Sequence, residues 1–113
     1  MEWDTEEALI EAPKPMFLGV LGAREGADST ILAEKILNPI LMVLERLPER
    51  IILPQEGTSS IWILDWAERL KIPTEVYEAD WARFQKRAKI FRDQRIVKEG
   101  THFLVFLNQR SNF

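Results

Sequence analysis

The chain has 113 residues, 46% of them hydrophobic and 29% charged, the size and balance of one globular domain with its own core. It contains no cysteine and one histidine, His102, which excludes disulfides, thiolate chemistry and any cysteine or multi-histidine metal site. The net charge of −3 is unevenly spread: residues 81–98 carry Arg83, Lys86, Arg87, Lys89, Arg92, Arg95 and Lys98 against Asp93 alone, so this stretch is +6 and the rest −9. Such asymmetry accompanies nucleic-acid or membrane contact in some chains, but a basic helix among acidic neighbours is more commonly a solvated face, so nucleic acid is not the expected partner. No apolar run approaches the roughly 20 residues that cross a bilayer, and Met1-Glu2-Trp3-Asp4 is acidic where a secretory signal is basic. The expectation is a cytoplasmic protein without membrane contact.

Residues 1–15 read as an acidic arm, with Glu2, Asp4, Glu6, Glu7 and Glu11, ending at Pro13 and Pro15. Residues 16–113 form the folded domain. Met16 to Leu21 is a continuous apolar run, the pattern of a strand covered on both faces in a parallel sheet. A turn over Gly22 to Asp28 follows, then Ser29 as an N-cap. Ile31, Leu32, Ile36, Ile40, Val43, Leu44 and Leu47 recur at helical spacing as far as Pro48, and Pro39 predicts a kink or break inside that helix. Arg50 to Leu53 reads as a second strand, stopped by Pro54 and the polar loop Gln55-Glu56-Gly57-Thr58-Ser59-Ser60, whose hydroxyls cap a helix from about Ile61 to Leu70. Thr74 to Tyr77 is a third strand. A long basic helix follows Ala79-Asp80-Trp81, with Phe84, Ala88 and Phe91 on one side, and Gly100 ends it. Phe103 to Leu107 is a fourth strand, again uninterruptedly apolar.

Strands alternating with helices specify an α/β three-layer α/β/α sandwich of Rossmann-like type, because each right-handed crossover returns the chain in the same direction. The first and last strands, being wholly apolar, are expected to be the buried central pair, which implies a four-stranded parallel sheet of order 3-2-1-4. Ligands in such sheets bind at the carboxyl ends of the strands beside the switch point, here between strands one and four. A glycine turn between a strand and a helix also aims backbone N–H groups and a positive helix end at one spot, which favours a phosphate or carboxylate.

Gly22-Ala23-Arg24 after strand one, Gly57 after strand two with the helix Ile61 to Ala67, then Ala79-Asp80-Trp81, Ala88 and Arg92-Asp93, together resemble the SLOG superfamily, in particular its small bacterial and phage members of the YspA-like type. The resemblance spans roughly residues 16–107. It implies a Rossmann-like module binding a nucleotide or nucleotide-derived ligand; relatives in the LOG branch are phosphoribohydrolases. The loop after strand two keeps only Gly57 of the family's several glycines and offers hydroxyls in place of its acid, and the LOG catalytic signature of paired glycines with a helical arginine and glutamate is not present as such.

The expected ligand contacts are Gly22, Ala23, Arg24, Gly57, Thr58, Ser59, Asp80 and Arg92, with no resident cofactor or metal. Arg24 either clamps a phosphate or pairs with Glu25 or Asp28. Thr58, Ser59 and Ser60 either bind a ribose or phosphate or simply cap the helix. Arg92 and Arg95 share a stripe with Trp81 and Ala88, so a buried guanidinium there needs a partner, a ligand phosphate or Asp80 or Asp93. An enzyme would need a carboxylate near the ribose, Glu56 or Asp80; a protein-interaction module that has lost the ligand site is the third alternative. Trp62 and Trp66, four apart, mark a face for core or dimer packing. The apolar last strand and this face together predict a homodimer. His102, far from the expected site, reads as structural.

Overall fold

A computed structural model describes residues 14–22 and 29–107. Four strands, β1 (Phe17–Leu21), β2 (Arg50–Pro54), β3 (Thr74–Tyr77) and β4 (His102–Val105), form one wholly parallel sheet of order β3-β2-β1-β4. Helices lie on both faces. α1 is α-helical over Ser29–Leu32, widens to a π turn over Ala33–Leu37 and is α-helical again over Asn38–Leu44; α2 is Gly57–Arg69, α3 is Trp81–Phe84 and α4 is Ala88–Glu99. The expected three-layer α/β architecture and strand order are those observed.

Strand alternation divides the core. Leu18, Val20, Ile51 and Leu53 point to one face and pack with Leu32 and Leu37 of α1 and Ile63, Trp66 and Ala67 of α2. On the other face Ile52 and Tyr77 meet Ile96 of α4, with Phe17 and Leu21 against them. Trp66 is buried here, its indole N–H donating to Asn38 Oδ1 at 3.0 Å, and Trp62 packs against the same core. The Trp62/Trp66 face is thus covered by α1 rather than left for a second copy, which removes one of the two grounds for expecting a dimer.

The other correction in the sheet concerns β4. It is an edge strand beside β1, with Phe103 and Val105 half-exposed, so the buried central pair is β1 and β2. Among the described residues no strand lies on its outer side, and its continuous apolar sequence does not mark burial on both faces.

In α1, Pro39 lacks the N–H that would bond the carbonyl four residues back, and its ring crowds that turn. The helix responds just upstream: Asn38 N–H reaches back five residues to the Ala33 carbonyl, the bond of a π turn. The inserted residue advances the following side chains by about 100°, one residue's share of a 3.6-residue turn. Leu37 and Leu41 therefore enter the core, whereas Val43, expected inside, is 82% exposed, and Ile31 and Leu47 are also exposed. The basic stretch is likewise broken. Gln85 adopts φ 49°, ψ −121°, separating α3 from a 3₁₀ turn over Gln85–Arg87 that leads into α4. Phe84 and Phe91 span the break with ring centroids 4.5 Å apart. Trp81 and Arg95, placed by the pattern on the inner stripe, are exposed; Ala88 and Arg92 are buried.

Candidate functional site

The carboxyl ends of the strands gather one group of charged side chains, built outward from the turn after β2. Gly57, with φ 71°, lets the chain bend from strand directly into α2, four residues earlier than expected. Ser60 locks that bend. Its Oγ lies 2.6 Å from the Pro54 carbonyl oxygen and 2.7 Å from that of Glu56, sharing one proton between them, and accepts from Glu56 N–H at 3.4 Å. Ser59 and Ser60 are both buried, and the Ser60 hydroxyl serves the fold of the turn.

Glu56 stands at the N-cap of α2, but its carboxylate makes no capping bond to that helix. It extends instead to α4, where Lys89 Nζ pairs with Oε1 and Arg92 NH2 lies 3.4 Å from Oε2. Arg92 also bonds Asp93 Oδ1 through Nε at 3.1 Å and NH2 at 3.0 Å. Its side chain is only 3% exposed, and α4 holds it against the sheet one turn from Ala88. A guanidinium this deep is costly unless compensated, and here two carboxylates compensate it. The expectation of an acidic partner therefore holds for Asp93, while Glu56 takes the place assigned to Asp80.

Asp80 has a different task. Its carboxylate accepts the Arg83 backbone N–H at 3.1 Å and caps α3. Gly22, φ 78°, turns the chain out of β1; a Cβ there would stand 2.7 Å from the Phe106 carbonyl oxygen, because Phe106 N–H continues the ladder to Leu21. Thr58 is half-buried in the first turn of α2. Ala23 and Arg24 lie outside the described residues. The structure thus brings Arg92 next to the Glu56-Gly57 turn, and engages Asp80 locally as a cap. Lys89 is the contact that sequence reasoning missed, although its spacing of three from Arg92 puts both cations on one side of a helix.

Elsewhere, Tyr77 at the end of β3 donates its hydroxyl to Glu99, and the Arg95 guanidinium lies over its ring, 4.3 Å from the centroid. Burial foremost, then the hydrogen bonds and charges of Glu99 and Glu75, raises the phenol well above its ordinary value. His102 opens β4 with Nδ1 2.9 Å from Thr101 Oγ1, at the opposite end of the sheet from Glu56. A shallow groove of about 430 Å³, lined by Leu64, Glu68, Lys71, Ile72, Pro73 and Thr74, also lies at that opposite end. Its location beside the amino end of β3 separates it from the charged cluster. Among the described residues no three metal-binding side chains converge, and no helix is long and apolar enough to cross a membrane.

Comparison of the chain with protein-family models, with curated proteins and with solved structures returned no match.

Proposed function

We propose that this protein binds a nucleotide or nucleotide-derived phosphorylated ligand at the carboxyl ends of β1 and β2, without turning it over. The observation that carries this reading is the pairing of a buried arginine and an accessible lysine, Arg92 and Lys89, against the turn that opens α2. Two cations of α4 face the amino end of a 13-residue helix at the end of the sheet where such folds take ligands. In this reading the first-turn backbone of Gly57, Thr58 and Ser59 and the side chains of Lys89 and Arg92 receive the phosphate, with Gly22 at the turn that ends β1. The resemblance to SLOG-type modules supports the choice of a nucleotide over other phosphorylated ligands. Binding is preferred to hydrolysis because the LOG catalytic signature is not present as such and Asp80 is engaged as the α3 cap. We also keep a homodimer in the proposal, now resting only on the open edge of β4.

A thermal-shift screen against nucleoside mono-, di- and triphosphates tests the reading. Ligand at 100 times its dissociation constant adds about 2.7 kcal/mol, a rise of roughly 10 °C for a domain this size. Lys89→Ala, at a side chain 54% exposed, should leave the unliganded midpoint nearly unchanged and abolish most of that rise. Silence across the panel would overturn nucleotide binding in favour of a protein-interaction module.

A further inference from the structure

The basic stretch meets solvent with an aromatic ring beside it. Trp81, which the sequence pattern puts on the inner stripe, is 53% exposed at the start of α3, and Arg83, Lys86 and Arg87, all exposed, follow it closely. We propose that this ridge binds single-stranded nucleic acid, the Trp81 indole stacking on a base while the three cations follow the phosphates. It uses none of the residues that hold the nucleotide in the reading above and does not rest on that reading.

A basic surface counts as an ordinary solvated face when neighbouring acids neutralise it, which is the reason to set nucleic acid aside on sequence alone. In the fold those acids are engaged elsewhere. Glu56 takes Lys89, Asp93 takes Arg92, and Glu99 takes the Tyr77 hydroxyl. Asp80 accepts the Arg83 backbone N–H at the amino side of α3, with Glu78 before it. Among the described residues, Arg83, Lys86 and Arg87 form no ion pair. Local geometry keeps them outward. The Gln85 N–H bonds the Trp81 carbonyl and closes α3 after one turn, and Gln85 then takes φ 49°, ψ −121°, a conformation that favours glycine. The chain restarts in a 3₁₀ turn, so Lys86 and Arg87 stay in solvent while Ala88 and Arg92 turn inward. The Arg83 guanidinium lies 5.0 Å from the Phe84 ring centroid, which orients its planar head.

Single strands fit these groups better than a duplex or an acidic protein. A free base opens its face to the indole, whereas a duplex keeps its bases stacked, and the four residues of α3 are too few to lie along a groove. A run of acidic side chains answers the cations but leaves the indole without a stacking partner. Residues outside 81–98 sum to −9, so phosphates are repelled elsewhere and directed to this ridge.

Fluorescence anisotropy on the full chain, with labelled oligothymidylate and oligouridylate of about 12 nucleotides, tests the proposal. Three neutralised phosphates give a log–log salt slope of about −2, so affinity should fall roughly 20-fold between 50 and 200 mM salt. Lys86→Gln combined with Arg87→Gln should bring the slope to about −0.7 and weaken binding at low salt at least about tenfold. Trp81→Ala should weaken binding at least about fivefold with the slope unchanged, and Trp81→Tyr should restore most of the loss. A merely structural tryptophan would not separate affinity from slope in this way. Because all these side chains lie in solvent, the variants should keep the native melting midpoint. The two polymers tell DNA from RNA, and binding of either supports the ridge. Absence of binding to both at 50 mM salt overturns it, as does binding that every substitution leaves unchanged. Polyglutamate bound as tightly as the oligonucleotides, with Trp81→Ala neutral, overturns it in favour of an acidic protein partner. Binding lost in Lys89→Ala but kept in Trp81→Ala would assign the strand to the nucleotide pocket and overturn the ridge while that pocket survives.

Discussion

Arg92 shows how one side chain links fold and site. Its guanidinium is 3% exposed and shared between Glu56 and Asp93, so truncation would leave two partly exposed acids facing each other without their common counter-ion. Breaking a fully buried pair costs roughly 3–5 kcal/mol; with both acids partly solvated here, Arg92→Met should cost about 2 kcal/mol in urea denaturation. Asp80→Ala removes only an exposed cap and should cost about 1 kcal/mol. Tyr77, the one tyrosine of the chain, supplies a spectroscopic test of burial. Its phenol is raised in the fold, so the folded state holds that proton more tightly than the unfolded chain does. The associated stability is complete below the unfolded value near pH 10 and is lost as pH rises beyond it. Absorbance at 295 nm should therefore show the native chain resisting ionisation at pH 10–11, with denaturant restoring a midpoint near 10; a native midpoint of 10 would contradict the Tyr77–Glu99 bond.

At the level of elements, the π turn of α1 decides which apolar residues count as core. Leu37→Ala should cost about 2–5 kcal/mol, because it opens a cavity under a side chain 2% exposed. Val43→Ser should fall within about 0.5 kcal/mol, since Val43 is already in solvent. The regular 3.6-residue spacing of the sequence would place Val43 inside. Pro39 announced a break, and composition alone did not say that the helix would repair it by inserting a residue upstream. The start of α2 likewise differs from the pattern of the sequence. A polar run of Gly57, Thr58, Ser59 and Ser60 has the composition of a loop, yet Gly57 turns the chain and Ser60 satisfies the carbonyls of Pro54 and Glu56 within the first helical turn.

For the molecule as a whole, the open side of β4 is the surface where association is expected. Phe103, Val105 and Leu107 are exposed there, and His102–Val105 contains no lysine or proline to blunt the edge. Val105→Lys should leave thermal stability nearly unchanged and shift any dimer seen in sedimentation velocity at micromolar concentration toward monomer. A native chain that sediments as a monomer at those concentrations would remove the proposed edge-to-edge dimer.

The order 3-2-1-4 is observed although its premise, a buried central pair of the first and last strands, is not, since β4 is an edge; the parallel α/β sheet itself was specified by the sequence, through its alternation of apolar strands with helical repeats. The sequence also singled out Arg92 as a buried charge needing a partner. The partner itself was a matter of tertiary structure: Glu56 and Arg92 are 36 residues apart, and only the packing of α4 across β1 and β2 brings them within 3.4 Å. The same packing decided that β4 is an edge rather than a centre. An apolar strand reads identically whether its second face meets a helix, a partner or water, because local sequence encodes the preference for burial and not the neighbour that provides it.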